Sequence, residues 1–329
     1  MIELFKDIKV DWLGKRKIFL AISGSIMLLG LVSLATKKGF EYGVDFKGGT
    51  KIQVRFKEKP DIEKIRQLLH DNKTDSQIQA VGGARPNDVL IEYQGTKEEE
   101  ASSGVIIGAL NKGFQAKFDS CRDASSVDCI LKADSIGPKV GDDLKRQAVF
   151  ATLYALGGIL IYIAFRFEWI YGAAAVFAVF HDTLVTLGLF SIFHRPIDLT
   201  VIAAMLTLVG YSVNDTIVVF DRVRENLKLH RRDDLEKIMN DSINQTLSRT
   251  ILTSGLTFIT VLALFVFGGE IINHFAFAMV IGIIIGTYSS VAIAAPLVLV
   301  YTNIRGNAAP QVAVPARPAV VKAAKPKRA

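Results

Sequence analysis

The chain has 329 residues, 50% of them hydrophobic, with a formal net charge of +7 and a mean hydropathy of +0.33. Apolar content of that order excludes a purely soluble protein. The basic excess accompanies no nucleic-acid-binding motif, so nucleic acid is not an expected partner.

The hydrophobic residues gather into six runs, at 18–35, 148–165, 170–193, 199–220, 250–267 and 275–301. Each is about as long as the ~17–25 residues a helix needs to cross ~30 Å of hydrocarbon. Six such runs predict an α-helical integral membrane protein. With the N-terminus placed in the cytoplasm, the arm at 1–17, the "RFEW" turn, the 222–249 connection and the tail all face inward. They carry nearly all the Lys and Arg outside the large soluble segment, while the two short outer connections contain only Arg195. This is the positive-inside pattern, with some added attraction to anionic lipid.

The first run follows "GKRK" and ends near "SLA", as a cleaved secretory signal would. Its length exceeds the usual 7–15-residue signal core, and Lys37 and Lys38 follow at once, which favours an uncleaved anchor. The segment 36–146 is exported on either reading.

That segment has ordinary soluble composition and reads as α+β. "TKIQVRF" alternates as a strand does, and "DIEKIRQLLH" has helical spacing behind an Asp cap. "SQIQAVG" and "DVLIEY" are strands parted by the turn "GGARPND". "TKEEEASSGVIIGALNKGF" is a second helix capped by Thr96, and "SVDCILKAD" closes the set. The order β-α-β-β-α-β is that of a small ferredoxin-like domain. It holds both cysteines, Cys121 and Cys129. In an exported domain an eight-residue separation allows a disulfide, and two unpaired thiols are the other reading.

The rest, 147–305, is a five-helix membrane region. Within it, 222–246 is charged and amphipathic, which predicts a helix lying at the cytoplasmic interface. The tail at 306–329, rich in Ala, Pro and Lys, is expected to be disordered. It is either a solvated tail or a weak tether to lipid headgroups or ribosomal RNA.

Soluble-enzyme chemistry finds no motif. "GVDFKGGT" matches neither GxGxxG nor a Walker loop, no HExxH occurs, and the five His are scattered. The expectation is a non-enzyme with no metal and no bound cofactor. Polar residues inside the spans are more informative, because charge in hydrocarbon costs about 2.5–3.5 kcal/mol on insertion scales. His181 and Asp182 lie in the third span, where packing or assembly is the expected role. Asn214 and Asp215 lie in the fourth, and Arg249 opens the fifth.

Asp215 sits about five residues, roughly 8 Å, from its helix end, too deep for so short a side chain to reach headgroups. Thr207, Tyr211 and Asp215 share one face with Ser212. Thr246, Arg249, Thr253, Thr257 and Thr260 form a second stripe. The two stripes are expected to face each other, with Arg249 near Asp215. Snorkelling of Arg249 to the interface is the competing reading.

"GVDFKGGT" after the first span, "GYSVNDTIVVFDRVREN" in the fourth and "NQTLSRTILTS" entering the fifth together resemble the SecD/SecF family of the RND superfamily, across 1–305. The resemblance implies an RND-type half bundle of six helices with one periplasmic domain in the bacterial inner membrane, both termini cytoplasmic. It implies work beside the SecYEG channel with SecD as partner and unfolded preprotein as substrate, drawing on the proton motive force. Asp215 and Arg249 then become the proton-conducting pair, supported by Asn214, Ser212, Thr216 and Thr253. Asp45, Gly48 and Gly49 of "DFKGG" become a structural hinge at the domain's base. A scaffold that stabilises SecD and SecYEG without moving protons is the alternative.

Overall fold

The computed structural model describes residues 9–304, apart from 38, 73, 75, 82–86, 95–102, 124–125, 167, 231 and 270–271. Residues 82–86 of the expected turn at 82–88, the Thr96 cap and the tail from 306 lie outside the described residues.

Helix α1 (Arg16–Thr36) leads through a single helical turn, α2 (Val44–Lys47), into an α+β domain. Its elements are β1 (Gly49–Arg55), α3 (Ile62–Asp71), β2 (Ser76–Ala80), β3 (Asp88–Tyr93), α4 (Ser103–Phe114), β4 (Asp119–Ser120) and β5 (Cys129–Ile136). The sheet order is β2-β3-β1-β5-β4, with the four long strands antiparallel and the short β4 parallel to β5 at one edge. This is the expected ferredoxin-like order with one edge strand added. Alternation explains the layering. Ile52, Val54, Val89 and Ile91 face Ile65, Leu69, Ile106 and Leu110 from the helices, all of them buried. The opposite face is polar, with ion pairs from Arg55 to Asp88 at 2.8 Å and from Lys51 to Glu92 at 3.4 Å.

Asp61 caps α3, accepting from the amide of Glu63 at 2.9 Å and that of Lys64 at 3.5 Å. Loss of such a cap costs about 1 kcal/mol. Asp61→Ala should therefore raise amide exchange in the first turn of α3 roughly fivefold, measurable by hydrogen–deuterium exchange, while β1 keeps its protection. Cys121 and Cys129 are joined as a disulfide with Cα atoms 5.1 Å apart, beside the β4–β5 pairing.

Among the described residues, six helices are long and apolar enough to cross a membrane. After α1 come α5 (Pro138–Arg166), α6 (Trp169–Ile192), α7 (Leu199–Leu229) and α8 (Leu235–Phe267). The sixth is α9 (Asn273–Ser289), continued through a π-helical segment (Ser290–Ala294) into α10 (Ala295–Ile304).

Two boundaries differ from expectation. The domain ends at Ile136 rather than 146, because α5 starts at Pro138. Proline suits a first helical turn, and the polar "GDDLKRQ" that follows is helical without being apolar, so hydropathy missed it. The 222–246 stretch is likewise not a separate interfacial helix. Its halves prolong α7 and α8 into one hairpin, where Asn226 donates to Ser242 at 2.8 Å and Arg222 to Gln245 at 2.6 Å. Polar residues expected to face headgroups bond across the hairpin instead.

The N-terminal arm is strapped to this hairpin. The Trp12 amide donates to Asn240 at 2.9 Å and its indole N–H to Asn244 at 3.1 Å, while Asn244 donates back to the Val10 carbonyl at 3.0 Å. Leu13 is buried beneath the strap, and Arg16 pairs with Glu236 at 3.0 Å. Helix α1 packs on α6 where Gly30 meets Gly188, so closely that a Cβ on Gly30 would lie 2.7 Å from the Gly188 Cα.

Candidate functional site

Asp215 is buried where α7, α8 and α9 meet. One carboxylate oxygen, Oδ2, accepts from Ser254 of α8 at 2.8 Å and from Thr287 of α9 at 3.4 Å. Helices α7 and α8 do meet at this depth, since the Tyr211 hydroxyl also donates to the Thr253 carbonyl at 3.3 Å, but the expected stripe of α8 is not the face turned to α7.

The facing residue, however, is Ser254 and not Arg249. Arg249 is exposed on α8, within electrostatic reach of Asp215 but not ion-paired with it. The reason is register. The Asn226–Ser242 and Arg222–Gln245 bonds fix the antiparallel hairpin. Continued along the helices, that register sets Asp215 opposite Leu252 and Thr253, about one turn of α8 or ~4.5–6 Å beyond Arg249, and the next residue, Ser254, brings its hydroxyl to the carboxylate. The inward face of α8 is also rotated from the expected stripe. Ser242, Thr246, Thr250 and Ser254, at steps of four, are buried, whereas Thr253 and Thr260 are exposed. That four-residue hydroxyl repeat was present in the sequence and could have identified Ser254.

The supporting positions divide. Asn214 is exposed, while Ser212 and Thr216 are buried. Ser212 serves a different acid, donating to Asp182 Oδ2 at 2.5 Å. Thr216 donates to the Ser212 carbonyl at 3.3 Å.

A second polar cluster lies where the extramembrane domain meets the bundle. Asp45 on α2 accepts from the Leu199 amide at the start of α7 at 3.1 Å and pairs with Lys51 at 3.1 Å. Burial works against the charge on Lys51, but Glu92 and Asp45 outweigh it and keep the ammonium above its ordinary value. Gly48 and Gly49 have φ of +79° and +143°, backbone that residues with a Cβ rarely adopt. They form a packed elbow between Pro138 and Tyr93, so any pivot here carries α5 and β3 with it.

Next to them Asp198 caps α7, accepting from the Val201 amide at 2.8 Å and from Thr200 at 2.6 Å, and bonds His274 of α9 at 3.1 Å. Burial penalises the ionised Asp198, yet the bonds from His274, Thr200 and Val201 prevail and hold its carboxyl below the ordinary 3.8. A depressed carboxylate stabilises the fold fully above its unfolded value, and that contribution disappears as pH falls through the folded value. Protection of the α7 N-terminal amides should accordingly decline below about pH 4, and Asp198→Asn should flatten the profile in hydrogen exchange.

Comparison with known proteins places these features in a family. Residues 118–304 match the family model for "Protein export membrane protein SecD/SecF, C-terminal", and 32–59 match the "SecD/SecF GG Motif", which spans Gly48 and Gly49. The chain is 44% identical to the protein translocase subunit SecF of Koribacter versatilis, covering 93% of this chain and 95% of that one. It is 45% identical to that of Calditerrivibrio nitroreducens, over 92% and 98%. The crystal structure of SecDF, a translocon-associated membrane protein from Thermus thermophilus, superposes with a TM-score of 0.73 at 34% identity. That match covers 90% of this chain and only 39% of the longer solved chain. With six apolar helices, a ferredoxin-like domain on a glycine elbow and relatives of matching length, the chain belongs to the SecD/SecF family of protein-export membrane proteins.

Proposed function

We propose that this protein is the smaller half of a proton-driven machine that assists protein export. It works with SecD beside the SecYEG channel and draws unfolded preprotein outward. The observation that carries the reading is the burial of Asp215 among helices with hydroxyl partners and no cation on it. A carboxyl so placed gains a donor when it takes a proton, and a proton on Oδ2 obliges Ser254 to turn. Arg249, exposed at the same hairpin, supplies a charge that a rearranged or partnered state can bring to the carboxylate.

A polar strip supports the partner. Thr207 and Asn214 of α7, with Arg249, Thr253 and Thr260 of α8, are exposed on the isolated chain. The threonine hydroxyls bond their own helix backbones, but Arg249 and Asn214 are costly in hydrocarbon, and a second membrane subunit would cover them. The strapped N-terminal arm lies at the basic hairpin end, which fits cytoplasmic termini and a periplasmic α+β domain. No cofactor is called for, because the gradient supplies the work. One proton crossing 100 mV provides about 2.3 kcal/mol, roughly a fifty-fold population shift. Proton flux into vesicles carrying the chain with and without SecD tests the reading. Flux that requires both subunits and Asp215 supports it, and Asp215-independent flux overturns it.

A further inference from the structure

Asp182 of α6 is, beside Asp215, a second buried carboxylate among the described residues of the bundle, and its expected role in packing or assembly does not account for its partners. It is 1% exposed. Its Oδ2 accepts from Ser212 of α7 at 2.5 Å and from Ser289 of α9 at 2.7 Å. Its Oδ1 lies 3.0 Å from Nδ1 of His181, whose Nε2 is buried without a partner. One side chain thus ties three helices together.

Both of its hydroxyl donors are close neighbours of the Asp215 site. Ser212 is three residues before Asp215 and therefore on the same side of α7. Ser289 is two residues after Thr287, which donates to Asp215. Ser289 also ends the regular part of α9, and the π-helical segment begins at Ser290. A π segment holds one residue more per turn than its surroundings and is sustained by its tertiary contacts. If it migrated toward the N-terminus past Thr287, that residue would rotate by about 100° and leave Asp215. The Asp182–Ser289 bond pins the boundary at which such a shift would start.

We propose that Asp182 is a positioning residue for the proton site. By accepting from Ser212 and Ser289 together it locks α7 against α9 in the register that puts the Thr287 hydroxyl on Asp215. This rests on the reading of Asp215 as the proton-exchanging group. The two carboxylates have unequal settings: Asp182 has three polar partners, and Asp215 has Ser254 and a longer bond to Thr287.

Infrared titration of the reconstituted full-length protein tests it. The carboxylic C=O band of Asp215 is identified as the pH-dependent band that Asp215→Asn removes. Positioning predicts that Asp182→Ala, or Ser289→Ala should the first variant fail to fold, moves the midpoint of that band by one pH unit or more. Asp182→Asn keeps an oxygen for both hydroxyls, with His181 changing tautomer to accept at Nδ1, and should restore the midpoint to within a few tenths of a unit. Lower yield with an unmoved midpoint means that Asp182 only packs helices, and overturns the proposal alone. A native protein with no Asp215-dependent band overturns the proton reading and this proposal with it.

Discussion

Asp215→Asn is expected to accumulate in the membrane at the native level and to lose uncoupler-sensitive export. The amide has the shape of the carboxyl, and its oxygen can still accept from Ser254 at the 2.8 Å separation seen for the acid. Folding therefore changes by no more than about one hydrogen bond, ~1 kcal/mol. What vanishes is a proton that can be taken and released. The ~2.3 kcal/mol per 100 mV then has no group on which to act, and the driven component of export should fall to the level seen with an uncoupler. Export kinetics with and without uncoupler, in cells carrying only the variant, provide the check. A variant that still responds to uncoupler as the native protein does would remove Asp215 from the mechanism. A variant that merely lowers the amount of assembled complex would favour the scaffold alternative. Arg249→Ala supplies the contrast. Because Arg249 is exposed on the isolated chain, its loss should leave thermal stability unchanged within ~0.5 kcal/mol and weaken coupling only when SecD is present.

The largest structural effect is expected at Gly49. A Cβ there would lie 2.1 Å from the Tyr93 carbonyl oxygen, at a φ of +143°. Neither can be relieved by turning a side chain, since the obstacle is backbone of the neighbouring strand β3. Strain of this kind costs several kcal/mol against a domain stability of about 5–15 kcal/mol. Gly49→Ala should cut the steady-state amount of protein several-fold and expose the α+β domain to added protease. Gly137→Ala is the control, because nothing lies within 4 Å of its Cβ position. Equal protease resistance in the two variants would show that the elbow yields, as a soft hinge would.

Much of this architecture was legible in the residues. The six spans follow from hydropathy alone, and the ferredoxin-like order follows from alternation and caps, because both signals are local. The glycine elbow was legible as special backbone. The site was legible in part. Asp215 stands out as an acid in an apolar helix, but its partner depends on the register of a hairpin set by Asn226 and Ser242, some distance from it. Arg249 drew attention by its charge, whereas Ser254 hid among the many hydroxyl residues of α8, where two stripes 100° apart look equally polar. Asp182 was visible, yet its partners come from α7 and α9, and no spacing rule links residues 182, 212 and 289. The π segment has no composition of its own, since it arises where helices crowd.

The strap at the N-terminus has a mechanical consequence. Asn240 and Asn244 hold the arm to the first turns of α8, and the arm runs directly into α1, which ends at the foot of the α+β domain. About two thirds of the way along, α1 bears on α6 at a contact with no side chain between the two backbones. It is also held to α9 by the Tyr288 hydroxyl on the Phe19 carbonyl at 2.7 Å and to α6 by Ser33 and Ser191 at 2.9 Å. Arm, α1 and bundle are thus fastened at several levels, so a displacement of α8 would have to carry α1 with it. Enlarging Gly30 would pry α1 from α6 between two of those fastenings.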